Sequence, residues 1–181
     1  RIAGLAVVPH AEDVPTLIRA YEVKGYFDEL LDLLESALGL ERAHMGVFTQ
    51  MGIALAKYRP ERLMEYLKLY WSRSNLPQLI KVTDTAHLWR ELVFLYTKYD
   101  EPDNAALTIM EHCSDAWDHD QFKAVLPQVA NVEIYYRALT FYLEQHPLLL
   151  NDLLTVLVKR IDHARVVRMF KKHDHDNVPL I

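Results

Sequence analysis

Apolar positions recur along this chain at intervals of three and four residues, and no stretch sustains an apolar–polar alternation of period two. That spacing places the apolar groups on one face of a helix, so the pattern predicts helix after helix and no sheet. The first helix is expected over Val14–Tyr26, with Leu17, Ile18, Tyr21 and Gly25 on its stripe, Asp13 as N-cap and Pro15 in the first turn. The next, Phe27–Leu38, carries Leu30, Leu31, Leu34, Ala37 and Leu38, and Gly39 suits its stop. Further helices are expected over Ala43–Tyr58, Pro60–Trp71, Pro77–Asp84, His87–Tyr99, Pro102–His112, Gln121–Val129, Asn131–Gln145 and Pro147–Val158. A last helix over Asp162–Lys172 precedes a polar tail. Proline opens several of these segments, where its missing N–H costs nothing, and Glu61 beside Pro60 suits the positive end of the helix dipole.

The links between these helices are short, which makes neighbours antiparallel. A loose internal repeat then separates a solenoid from a globular bundle. Every second helix begins with a polar or acidic residue just ahead of an apolar pair, and Leu30, Leu63, Leu92, Val125 and Leu153 mark equivalent points. The gaps between them are 33, 29, 33 and 28 residues, the length that two short helices and two turns need. The small residues that tetratricopeptide repeats require at fixed positions are not found. Helices such as Ile134–Leu143 are apolar around most of their circumference and must be covered by neighbours on several sides. Trp89 and Phe94 are expected in the core of the most apolar helix. The expected fold is all-α: an α-solenoid (α-zigzag) of stacked short antiparallel helix pairs. It forms one helical-repeat fragment over residues 1–181, with residues 1–12 and 173–181 as less ordered ends and an elongated rod as the expected shape.

Composition narrows this further. The 181 residues are 51% apolar, enough for a continuous core, and 5 glycines and 8 prolines are too few for a disordered or turn-dense β chain. The net charge of −5 gives no case for nucleic-acid binding. One cysteine, Cys113, rules out an internal disulfide framework and fits a reducing compartment. Uncharged apolar runs such as Pro147–Asn151 are too short to span a membrane. A start at Arg-Ile-Ala, without Met, reads as an excised fragment. Charge is uneven: residues 159–176 carry six Lys/Arg against three Asp, leaving −8 for the remainder. Such a basic helix on an acidic chain suits an acidic partner, or is simply a solvated face.

Signatures of catalysis are scarce. There is no Gly-rich phosphate loop, nucleophile elbow or zincin motif. Glu111, His112, Cys113, Asp115, Asp118, His119 and Asp120 form the best metal-like cluster. Their plainer reading is preferred: Asp115 caps a turn, Asp118–Asp120 start a helix, and Trp117 anchors that turn against the core. His173 and His175 belong to a charged end, His44 and His87 read as packing residues near helix starts, and Glu41 and Arg42 as surface contacts. No catalytic residue, cofactor or metal site is expected, and the chain is not read as an enzyme.

Several blocks resemble the clathrin heavy chain family. They are Leu38-Gly-Leu-Glu-Arg-Ala-His-Met-Gly, His87-Leu-Trp-Arg-Glu-Leu-Val-Phe-Leu-Tyr, Asp115-Ala-Trp-Asp-His-Asp-Gln-Phe-Lys, Ala130-Asn-Val-Glu-Ile-Tyr-Tyr-Arg-Ala-Leu-Thr-Phe-Tyr-Leu, Pro147-Leu-Leu-Leu-Asn-Asp-Leu-Leu and Ile161-Asp-His-Ala-Arg-Val-Val. The resemblance implies a proximal-leg segment of heavy-chain repeats, in the region where family members bind the light chain. It implies a structural scaffold of the clathrin coat, on the cytoplasmic face of coated pits and vesicles, serving vesicle-mediated transport and endocytosis. The implied partners are the light chain and other heavy-chain legs, with trimerisation and adaptor binding residing elsewhere in the full-length protein, and with no nucleic acid and no membrane insertion. The alternative is a helical-repeat subunit of a vesicle-tethering complex. Because family light chains are acidic and helical, the resemblance points to an apolar groove with a basic rim. The candidate rim residues are Lys81, Arg90, Lys123, Arg137 and Lys159, chosen for charge and for position on expected helices or their starts.

Overall fold

The computed structural model describes residues 18–22, 25–38 and 45–176, and these fall into two compact units, Arg1–Tyr99 and Asp100–Ile181. Among the described residues the chain is all-α, built from short helices packed in pairs, the arrangement of an α-solenoid of helical repeats.

In the first unit residues 18–22 are helical and lead into α1 (Phe27–Leu38), α2 (Met45–Tyr58), α3 (Leu63–Tyr70), α4 (Leu76–Thr85) and α5 (Trp89–Lys98). The second unit holds α6 (Pro102–Glu111), the one-turn α7 (Cys113–Ala116), α8 (His119–Val125), α9 (Val132–Gln145), α10 (Leu150–Leu157) and α11 (His163–Asp176). The packing is that of two layers. In the first unit α2 lies against α4, α3 against α5, and each pair, α2 with α3 and α4 with α5, is closed by its own contacts. In the second unit α9 lies against both α6 and α11, and the pairs are α6 with α8 and α9 with α10. Each repeat thus contributes a first helix to one layer and a second helix to the other.

The five repeat markers fall on helices of the second layer. Leu30, Leu63, Leu92, Val125 and Leu153 sit on α1, α3, α5, α8 and α10, and all are buried. Burying a leucine or valine contributes about 1.5–3 kcal/mol, so one such buried position per repeat supplies a steady share of the core. The helices α3 and α10 begin one 3₁₀ turn later than expected, at Pro60–Arg62 and Pro147–Leu149, and α8 ends in another, Leu126–Gln128. The tighter turn reconciles proline with a helix start or stop.

Helix ends differ from expectation in instructive ways. Gly25 is not part of an apolar stripe. It takes φ 74° and is exposed, and the N–H groups of Gly25 and Tyr26 bond to the carbonyls of Glu22 and Tyr21, a left-handed stop. The same device recurs without glycine. His87 (φ 58°) and Asp100 (φ 60°) follow the C-caps of α4 and α5. His87 N–H reaches Asp84 O and Leu88 N–H reaches Thr83 O, so α4 stops at Thr85 and His87 lies in the link. Trp89 and Phe94 are half-buried, not core. Leu92, Val93 and Leu95 fill the interior instead, while Trp89 opens α5 and stacks on the exposed ring of His87 at 5.0 Å. The last helix runs four residues past Lys172, to Asp176. The expectations for Asp13, Pro15, Leu17, Gly39, Glu41, Arg42 and His44, and for the side chains of Ala37 and Leu38, lie outside the described residues.

Candidate partner-binding surface

The candidate cations are spread over both layers. Lys81 is exposed on α4 and Arg90 is exposed at the start of α5, so the two share one helix pair. Lys123 lies on α8 and Lys159 just beyond α10, in the second-helix layer, whereas Arg137 lies on α9, in the first-helix layer. Two of the five are already engaged. Lys123 Nζ donates to Asp152 Oδ2 at 2.8 Å, and Arg137 reaches Glu111 Oε1 at 3.4 Å. Among the described residues no ion pair is formed by Lys81, Arg90 or Lys159, and these three present undiverted charge to solvent.

The cluster around His119 is a structural joint. Asp118, not Asp115, is the cap: its side chain accepts from Gln121 N–H at 3.0 Å, while Asp115 lies within the one-turn α7. His119 bridges Tyr142 Oη at 2.7 Å and Asp152 Oδ2 at 2.8 Å. Hydrogen bonds from Lys123 and then His119 hold the Asp152 carboxyl below the usual carboxylate range. Burial, reinforced by the charges of Asp152 and Asp120, pushes the Tyr142 hydroxyl up. Trp117 stacks on His146 at 4.2 Å and touches Phe122, Phe141 and Tyr142, anchoring the turn as its sequence context suggests. Among the described residues no three His, Cys, Asp or Glu side chains are placed to hold a metal ion, and no helix is long and apolar enough to cross a membrane.

A groove of about 760 Å³ opens in the first unit. Met51, Leu55, Tyr66, Leu69 and Tyr70 line it, and Glu35, Arg62, Glu65 and Lys68 rim it. Leu69 is 70% exposed. Arg62 is tied to Glu35 across the groove, and Arg59 to Asp28 beside it. The Tyr66 hydroxyl donates to Phe48 O at 2.7 Å, and burial pushes its ionisation far above the ordinary tyrosine value. Sequence reading passed over this feature. Its one signal is Leu69, which stands off the stripe formed by Leu63, Tyr66, Leu67 and Tyr70.

The sequence blocks and the two-layer repeat together agree with known proteins. A family model described as a region in clathrin and VPS proteins matches residues 5–150.

The chain belongs to this clathrin repeat family.

It is 55% identical over 172 residues to the probable clathrin heavy chain 1 of Caenorhabditis elegans, covering 95% of this chain and 10% of that protein. It is 54% identical over 181 residues to the probable clathrin heavy chain of Schizosaccharomyces pombe, covering all of this chain and 11% of that protein. Against the clathrin heavy chain of Drosophila melanogaster it is 51% identical over 181 residues, again all of this chain and 11% of the other. The chain therefore spans about a tenth of the length of these clathrin relatives.

Proposed function

We propose that this chain is a segment of the proximal leg of a clathrin heavy chain and acts as a structural scaffold in the clathrin coat, on the cytoplasmic face of coated pits and vesicles. Its work is mechanical and adhesive, with no catalytic step and no cofactor. The observation that carries the reading is identity above 50% to clathrin heavy chains across the whole chain, on a two-layer helical repeat. A vesicle-tethering subunit is not favoured, because these relatives are clathrin heavy chains.

Partners are other heavy-chain legs in the lattice and an acidic, helical light chain. Long-range attraction of an acidic helix comes from the cations that have no carboxylate of their own, Lys81, Arg90 and Lys159. Lys123 and Arg137 contribute less, because Asp152 and Glu111 already neutralise them. Apolar side chains carry most of the affinity in such contacts, with rim charges setting on-rate and salt dependence. The deciding experiment is light-chain binding to the full heavy chain with paired charge reversals. Lys81→Glu with Arg90→Glu is expected to weaken binding at low salt and flatten its salt dependence, with the helical spectrum unchanged. If no pair among the five cations alters binding at low salt, the basic-rim reading fails and the partner lies on another face.

A further inference from the structure

Hydrogen bonds of one kind recur at three places where successive repeats meet. In each, a side chain on a first helix accepts from a backbone N–H at the head of the next first helix. Thr49 Oγ1 on α2 accepts from Asn75 N–H at 2.8 Å. Asp103 on α6 accepts from Ala130 N–H at 2.9 Å and from Asn131 N–H at 3.1 Å. Tyr136 Oη on α9 accepts from Asp162 N–H at 2.9 Å. The separations are 26, 27, 28 and 26 residues, close to one repeat.

The receiving residue has a second duty each time. Asn75 Oδ1 caps α4 through Gln78 N–H at 3.2 Å, Asn131 Oδ1 caps α9 through Glu133 N–H at 3.1 Å, and Asp162 Oδ1 caps α11 through Ala164 N–H at 3.0 Å. One residue thus starts its own helix with its side chain and is tied to the preceding first helix by its backbone, or, at Asp103, by its backbone and that of its neighbour. The acceptors differ in chemistry: a hydroxyl that itself donates to Met45 O at 2.7 Å, a carboxylate, and a phenol. What is kept is the position of an oxygen. At the third joint Arg165 adds a clamp, lying 3.7 Å over the Tyr136 ring and bonding both oxygens of Glu133 at 2.9 and 2.7 Å.

We propose that Thr49, Asp103 and Tyr136 are positioning residues that fix where α4, α9 and α11 start on the first helix before each, and so set the angle between the repeats they join. Apolar packing alone holds helices together but is non-directional, and it lets them slide and rotate. A helix head has free N–H groups that must find an acceptor. An oxygen supplied from the previous repeat satisfies one of them at a single rotation and offset. For a scaffold leg, a consequence that rests on the function proposed above, these joints are where local bending is permitted or refused.

The test uses the full chain with Thr49→Val, Thr49→Ser and Tyr136→Phe, read by amide-resolved hydrogen exchange. Spin-label distances between positions 140 on α9 and 168 on α11 are measured in a Cys113→Ser background. Tyr136→Phe removes one oxygen and leaves the ring under Arg165. It is expected to speed exchange at the Asp162 amide about tenfold, to broaden the 140–168 distance distribution, and to leave Asn75 and Asn131 unchanged. Thr49→Val is expected to do the same at Asn75 alone, and Thr49→Ser to restore protection. Uniform loss of protection across the unit would overturn the proposal, because the residue would then be an ordinary core contact. Unchanged exchange with an unchanged distance distribution would overturn it as well. These readouts are intramolecular, so they stand or fall separately from light-chain or lattice binding.

Discussion

Gly52 offers a sharp test of how closely successive repeats approach. It lies in the middle of α2, where glycine costs about 1 kcal/mol relative to alanine. Propensity alone therefore predicts that Gly52→Ala stabilises. The structure reverses the sign. A Cβ at position 52 would come within 2.9 Å of Leu79 Cδ2 on α4, with Leu79 Cδ1 at 3.5 Å and Tyr66 Cε1 at 3.6 Å. Leu79 is 1% exposed and packed within the unit's core, so its methyl has little room to retreat. Overpacking of this kind costs about 1–3 kcal/mol. Setting about 2 against a gain of about 1 leaves Gly52→Ala destabilising by roughly 1 kcal/mol. Leu79→Ala alone should cost about 2–5 kcal/mol. In the double variant the new methyl enters the space that Leu79 leaves, so the combined cost should fall short of the sum by about 1–2 kcal/mol. Urea unfolding followed by circular dichroism, with midpoints compared at unchanged slope, measures all three. A stabilised Gly52→Ala, or strictly additive costs, would refute close packing of α2 on α4 as the reason for glycine at this position.

Other expectations follow from the same geometry. Trp89→Ala should cost clearly less than Leu92→Ala in thermal or urea unfolding, because Trp89 is half-buried whereas Leu92 is 2% exposed and its truncation falls in the range of about 2–5 kcal/mol. Asp100→Gly should raise stability by about 0.5–1 kcal/mol, since a non-glycine residue at φ 60° is strained and glycine relieves it. The Asp152 carboxyl titrates below its unfolded value, so its contribution is present above about pH 4 and lost as pH falls further. Asp152→Asn should accordingly flatten the acid limb of the stability profile and leave the profile near neutrality with the same slope.

The sequence alone determined the fold class, the rhythm of the repeat and the family. Apolar spacing of three and four residues is a local property, and Leu30, Leu63, Leu92, Val125 and Leu153 could be aligned before their burial was visible. Prolines and the Asp118 cap region marked helix starts because the chemistry of a helix end lies in adjacent residues. Other features required the tertiary structure. That His87 and Asp100 adopt left-handed conformations after their helices is invisible in composition, because neither is glycine, and at His87 the hydrogen bonds of His87 and Leu88 back to Asp84 and Thr83 hold the conformation. Trp89 reads as core by hydropathy yet opens its helix at a half-exposed position, since burial depends on which face a neighbouring repeat covers. Which cations are free was likewise undecided. Lys123 and Lys159 look alike in sequence, and only the approach of Asp152 from 29 residues away neutralises one of them. The joints at Thr49, Asp103 and Tyr136 share no residue type, so no motif announces them. What they share is an oxygen placed opposite the head of the next helix, and that placement exists only once the repeats have stacked.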